Sequence, residues 1–176
     1  MYTEARRRGG CPVSADVGAE GAAASPGDAF AHAGVPPGYR PFRASTGFIA
    51  VNGPLWVRHE GVEFKLGFRV EPRHCNPMGI CHGGMLATFA DMLMPIGAIA
   101  LVPELKRRFL PTVSLQIDYI GPARLGDWVE GQMQVLRTTR TMVFMQGLVR
   151  SADAVAMRCS GVFKIGPEFD REAVRG

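Results

Sequence analysis

Cysteine, histidine and tryptophan are scarce in this chain, and no run of Lys and Arg is interleaved with aromatics. The four cysteines, Cys11, Cys75, Cys81 and Cys159, are too few for a disulfide-built scaffold in 176 residues. The net charge is only +4 and the pI about 9.1, and the basic residues are scattered. That distribution lacks the footprint of a nucleic-acid binder, although it suits an anionic ligand such as a phosphorylated cofactor. Arg6, Arg7 and Arg8 are not followed by an apolar h-region, so no secretory leader is expected, and reduced thiols in the cytoplasm are. His74-Cys75 and Cys81-His82 bracket a short segment without the spacing of a zinc knuckle or finger. Neighbouring ligands would also point to opposite sides of an extended chain. Free thiols and no metal are therefore expected.

One long apolar run is present. From Gly83 to Val102 the only charged residue is Asp91, and the stretch is long enough to span a bilayer. A charge near the middle costs several kcal/mol in lipid. Pro95 and several glycines interrupt the run, and the segments around it read as amphipathic strands that need a covering helix. A buried central helix, and no membrane, is the better reading.

Hydrophobic residues make up 47% of the chain and charged residues 20%, enough for one sizeable core. Residues 1–40 are rich in Ala, Gly, Pro and Ser and poor in large hydrophobes, which predicts a disordered tail with no room for a helix-turn-helix domain. A single domain follows over residues 41–176. Phe48 to Val57 reads as a short strand or hairpin broken at Asn52-Gly53-Pro54, and Val62 to Val70 as a strand. Arg73 to Ile80 is a loop, and a helix covers 83–101. Four strands come next, at Thr112–Ile120, Trp128–Arg137, Thr141–Arg150 and Val155–Ile165. In the first of these Val113, Leu115, Ile117 and Tyr119 share one face, and Thr112, Ser114, Gln116 and Asp118 the other. The tight connections between the later strands require antiparallel pairing. The fold class is α+β, a curved antiparallel sheet wrapped around one long central helix.

Three features carry chemistry. Asp91 is the lone ionisable group on a helix made to be buried, where a carboxylate needs a partner or a cleft. It points to a general base or nucleophile, against the plainer role of an internal polar pair. His82-Gly83-Gly84 opens the same helix, where free N–H groups and the helix dipole suit a developing oxyanion. Asn76, before Pro77, has an amide able to hold a water or a carbonyl, though Asn-Pro is also an ordinary turn.

Asn76-Pro-Met-Gly79-Ile-Cys-His82-Gly83-Gly84-Met-Leu-Ala-Thr-Phe-Ala-Asp91 resembles the signature of the hotdog-fold acyl-CoA thioesterase superfamily, phenylacetate-degradation type, which also includes the 4-hydroxybenzoyl-CoA thioesterases. Thr112 to Asp127 is similar to the strand and turn that follow in that family, and the likeness covers about Phe48 to Ile165. The resemblance implies a hydrolase that splits an acyl- or aryl-CoA, with no cofactor beyond the CoA of its substrate. It implies a homodimer, or dimers assembled into a tetramer, whose active sites straddle the interface. Asn76, His82 and Gly83 would come from one chain and Asp91 from the other. Gly83 would give its N–H to the thioester oxygen, Asp91 would activate water or attack, Asn76 would place the water or thioester, and His82 would orient the loop. Thr112 would be the assisting hydroxyl, with Ser114 held second. CoA would lie along Gly121–Arg124 and Arg137–Thr141, so that Gly121, Arg124, Arg137, Thr138 and Arg140 are candidate contacts. Gly84, Met85 and Ser114 would line the acyl pocket; the apolar Met85, Phe89, Met92 and Met94 suit a flexible acyl lining, against the plainer role of core packing. Pro95 departs from the family's helix and predicts a kink or bulge just after Asp91. Two other readings share this fold: a non-catalytic acyl-CoA sensor, which has no need of Asp91, and a dehydratase, which calls for a different Asp/His arrangement.

Overall fold

The structure, a computed structural model, describes residues 34–42 and 47–168. Residues 1–33, most of the segment read as a tail, lie outside the described residues. Residues 34–40 do not behave as a tail. Tyr39 is buried edge-on against Trp128, with ring centroids 5.0 Å apart, and its hydroxyl donates to Glu130 Oε2 at 2.5 Å.

The elements are β1 (Arg40–Phe42), α1 (Gly47–Asn52), β2 (Leu55–Glu60), β3 (Glu63–Arg69), α2 (Gly83–Leu101), β4 (Thr112–Tyr119), β5 (Trp128–Thr138), β6 (Met142–Ser151) and β7 (Ala154–Lys164). Short 3-10 turns at Pro72–His74 and Pro103–Leu105 flank α2. One prediction fails at α1. Phe48 to Asn52 is a helical turn and a half, not a strand. A four-residue apolar run has no period to tell the two apart. The Gly53 N–H closes the turn on the Ile49 carbonyl at 2.7 Å before Pro54 releases the chain into β2.

Seven strands form one antiparallel sheet in the order β1-β2-β3-β5-β6-β7-β4. The strand that follows the helix does not join its sequence neighbour. β4 crosses to the far side and pairs with β7, which leaves its outer side as a sheet edge. Phe64, Leu66 and Phe68 of β3, Val129 of β5, Met145 of β6 and Phe163 of β7 turn inward and are fully covered. They close on Phe89, Leu93 and Met94 of α2, also without exposure. Glycines let the helix come close. A Cβ on Gly131 would stand 2.6 Å from Leu93 Cδ2, and one on Gly161 would stand 2.8 Å from Met94 Sδ. The helix is long and apolar enough to cross a membrane, but its inner face is spent on the sheet. It continues through Pro95 without a break or π-turn, and Pro95 supplies no N–H to the Asp91 carbonyl.

Candidate active site

The loop before α2 is built as a small strap. The Asn76 N–H donates to the Ile80 carbonyl at 2.9 Å, and the His82 N–H donates to the His74 carbonyl at 2.7 Å, so Cys75 and Cys81 face each other in an antiparallel bridge. Asn76 Oδ1 accepts from the Met78 N–H at 2.9 Å and the Ile80 N–H at 3.4 Å, so the amide oxygen holds the turn. Behind the strap His74 is buried. Its Nδ1 accepts from the Glu71 N–H at 3.1 Å, and its Nε2 donates to the Asn52 carbonyl at 3.0 Å. Burial first, and the Arg73 guanidinium second, hold its pKa below the ordinary value of 6.5. The strap leans on the segment after β4 through an Ile80–Arg124 bridge and a bond from the Cys81 N–H to the Ala123 carbonyl at 2.7 Å.

A helix opens with four N–H groups that lack helical partners. Here three are taken. The His82 N–H donates to the His74 carbonyl at 2.7 Å, the Gly84 N–H to His82 Nδ1 at 2.9 Å and the Met85 N–H to the His82 carbonyl at 2.9 Å. Among the described residues the Gly83 N–H has no acceptor. The Gly83 carbonyl accepts from the Tyr119 hydroxyl at 2.7 Å. A Cβ on Gly83 would lie 3.2 Å from the Tyr119 ring. The sequence pattern marks Tyr119 only as one residue of a strand face. Its contact with Gly83 depends on the crossover of β4, which carries no local signal.

Asp91 sits two turns further along α2, half-buried, and Oδ1 accepts from Thr112 Oγ1 at 2.5 Å. Thr112 begins β4, and a bulge lies between it and Ser114. Thr112 opposes Phe163, whereas Ser114 opposes Val162 with Val113 as the extra residue. The bulge puts Thr112 on the inner face with Leu115, Ile117 and Tyr119, and Ser114 on the outer face with Gln116 and Asp118. The expected common face of Thr112 and Ser114 is thus corrected, and Ser114 points away from Asp91.

The candidate residues fall into two groups within one chain. Asn76, His82, Gly83, Gly84, Tyr119, Gly121 and Arg124 gather at one end of β4. Asp91 and Thr112 lie at the other end, and Arg137, Thr138 and Arg140 are at that same end of the sheet, three strands away at the β5–β6 turn. Gly83 and Asp91 are eight residues apart on one helix, about 12 Å of rise. Arg124, Arg137, Thr138 and Arg140 are exposed. Of the expected acyl lining, Phe89 and Met94 are sealed in the core, Met85 is buried, and Met92 is half-buried. A concavity of about 1100 Å³ lies instead on the outer face, lined by residues such as Gln116, Gln134, Gln146 and Arg158, and touches none of the loop or Asp91. Cys75, Cys81 and Cys159 are free thiols. Among the described residues no cluster of three His, Cys, Asp or Glu could hold a metal.

Residues 78–157 match the family model described as the thioesterase superfamily. A Pseudomonas aeruginosa protein that carries the name "Putative esterase" is 32% identical over 132 residues, covering 74% of this chain and 97% of that one. The chain belongs to the thioesterase superfamily. The zebrafish thioesterase superfamily member 2 superposes with a TM-score of 0.62 at 22% identity, covering 70% of this thioesterase and 90% of that chain. A hypothetical thioesterase of Streptococcus pneumoniae, solved with coenzyme A, superposes with a TM-score of 0.58 at 16% identity, over 66% and 88% of the two chains. The fold is the hotdog fold: one long helix held in a curved antiparallel sheet. As a member of this superfamily the protein is a thioester hydrolase.

Proposed function

We propose that this thioesterase hydrolyses an acyl- or aryl-CoA to the free acid and CoA, in active sites completed by a second copy of the chain. The observation that carries the reading is the pairing of one unclaimed N–H, at Gly83, with a helix carboxylate, Asp91, about 12 Å away on the same helix. One thioester carbonyl cannot touch both within a protomer. The outer side of β4 is an open edge, and its two ends carry the two halves of the chemistry. A two-fold pairing along that edge would set the Gly83 end of one chain beside the Asp91 end of the next. The same rotation would bring Gly121 and Arg124 towards Arg137, Thr138 and Arg140, giving cations for the phosphates of CoA. The CoA carried by the Streptococcus pneumoniae protein of like fold agrees with such a ligand.

In this reading the Gly83 N–H takes the carbonyl oxygen as negative charge builds on it, a contribution of roughly 3–4 kcal/mol to the barrier. The Asp91 carboxylate removes a proton from water, or attacks the carbonyl itself, and the CoA thiolate leaves. Thr112 holds Oδ1 of that carboxylate and so limits its rotation. Asn76, with its Oδ1 committed to the loop, has its amide N–H groups to offer the water or the thioester.

The test is free-thiol release from a panel of acyl- and aryl-CoAs by the wild type and by Asp91→Ala. Turnover that falls by orders of magnitude in the variant supports the assignment, and the panel ranks the acyl groups. Undiminished turnover in Asp91→Ala moves the chemistry to another residue. Binding of CoA esters without turnover in the wild type makes the protein a sensor.

A further inference from the structure

We infer that Cys75 and Cys81 form a redox site, a dithiol that closes to a disulfide by exchange with low-molecular-weight disulfides such as oxidised glutathione. Register supplies the geometry. The two residues are directly opposed in an antiparallel bridge whose flanking bonds run from Asn76 N to Ile80 O and from His82 N to His74 O. That pattern makes 75 and 81 a non-hydrogen-bonded pair, in which the Cα atoms stand about 4.5 Å apart with side chains on the same face. Disulfides require Cα separations of roughly 4.4–6.8 Å, so the bond closes without backbone movement.

Neither thiol has a strong competing partner. Cys75 Sγ donates to the Glu71 carbonyl at 3.4 Å, and Cys81 Sγ reaches the His82 carbonyl only at 3.9 Å. Cys75 is half-buried whereas Cys81 is buried, so Cys75 is the more accessible and reacts first. The Cys75 thiolate attacks one sulfur of the external disulfide, forming a mixed disulfide and releasing one thiolate. Cys81 then loses its proton and attacks Cys75 Sγ, and the second external thiol leaves. Two protein thiols are oxidised, one external disulfide is reduced to two thiols, and atoms and electrons balance. Burial pushes the Cys81 thiol up to about 12, so the second step accelerates with rising pH. The closed bond would tie together the residues immediately before Asn76 and His82. It fixes the strap whether or not the loop serves a thioester.

The experiment uses the full chain carrying Cys11→Ser, folded and incubated with excess oxidised glutathione. Intact mass and thiol titration after denaturation then report the products. The expected result is a mass lower by two hydrogens and a loss of two thiols, located in the tryptic peptide spanning 74–106, and reversed by dithiothreitol. Cys159 lies almost fully buried on β7, and its survival as a thiol confirms that the chain stayed folded. Cys81→Ser should instead stop at one glutathione on Cys75. The proposal is overturned if the protein with both cysteines also stops at that adduct, or if both of its thiols persist.

Discussion

Thr112 and Asp91 are joined across the helix–sheet boundary by a hydroxyl–carboxylate hydrogen bond of 2.5 Å. The bond exists because a bulge at Val113 turns Thr112 inward. A hydrogen bond to a charged group contributes about 1.5–3 kcal/mol. Thr112→Val should therefore lower kcat by roughly 10–100-fold with little change in KM, and Thr112→Ser should restore most of it. Steady-state kinetics of the three proteins check this. Equal kcat in Thr112→Val would mean that the carboxylate needs no positioning.

Tyr119 holds the other end of β4 to the helix through the Gly83 carbonyl. Removing that hydroxyl in Tyr119→Phe forfeits a neutral hydrogen bond of about 0.5–1.5 kcal/mol. The expected loss is roughly 2–10-fold in kcat with the melting temperature lowered by a few degrees. Gly83→Ala should do more harm, because its Cβ would stand 3.2 Å from the Tyr119 ring. Pairing it with Tyr119→Leu should recover stability if that contact is the cause.

His74 gives a pH dependence whose sign can be worked out. Its folded pKa lies below 6.5, so as pH falls the unfolded chain takes the proton first. Stability from this group is fully present above about 6.5 and drains away as pH drops from there through the folded value. Thermal melts between about pH 7 and pH 5 should fall more steeply for wild type than for His74→Gln. Parallel curves would mean that His74 takes up its proton equally readily in the folded and unfolded chain.

The contact of α2 with the sheet predicts a packing cost. Gly131→Ala would drive a methyl to 2.6 Å from Leu93 Cδ2 and 2.8 Å from Phe89 Cε1. Overpacking of a filled core costs about 1–3 kcal/mol. Urea unfolding should show that loss, and a Leu93→Val background should relieve part of it.

Much of this was legible in the residues. The helix over 83–101 is readable because its apolar run is long and ends at Pro103, and β5, β6 and β7 because their alternation is regular. Asp91 and His82-Gly83-Gly84 stand out as a charge where none belongs and as glycines where a helix begins. The misses have physical causes. Phe48 to Asn52 is too short for its period to decide between helix and strand. The bulge at Val113 reverses a face without changing composition, so simple alternation puts Ser114 on the face of Thr112 when it is not. Tyr39 lies in an Ala/Gly/Pro-rich stretch, and only its seat on Trp128 reveals that it belongs to the core. Tyr119 meets Gly83 through a crossover that no local pattern encodes.

The separation of Gly83 from Asp91 along one helix has a genetic consequence. If each site takes one residue from either copy, a chain crippled at Asp91 and a chain crippled at Gly83 are both dead alone but carry complementary defects. Mixed and allowed to exchange partners, they would assemble heterodimers in which one site inherits both lesions and the other inherits none. Two inactive alleles would then rescue each other, and the recovered activity would rise with the fraction of mixed pairs.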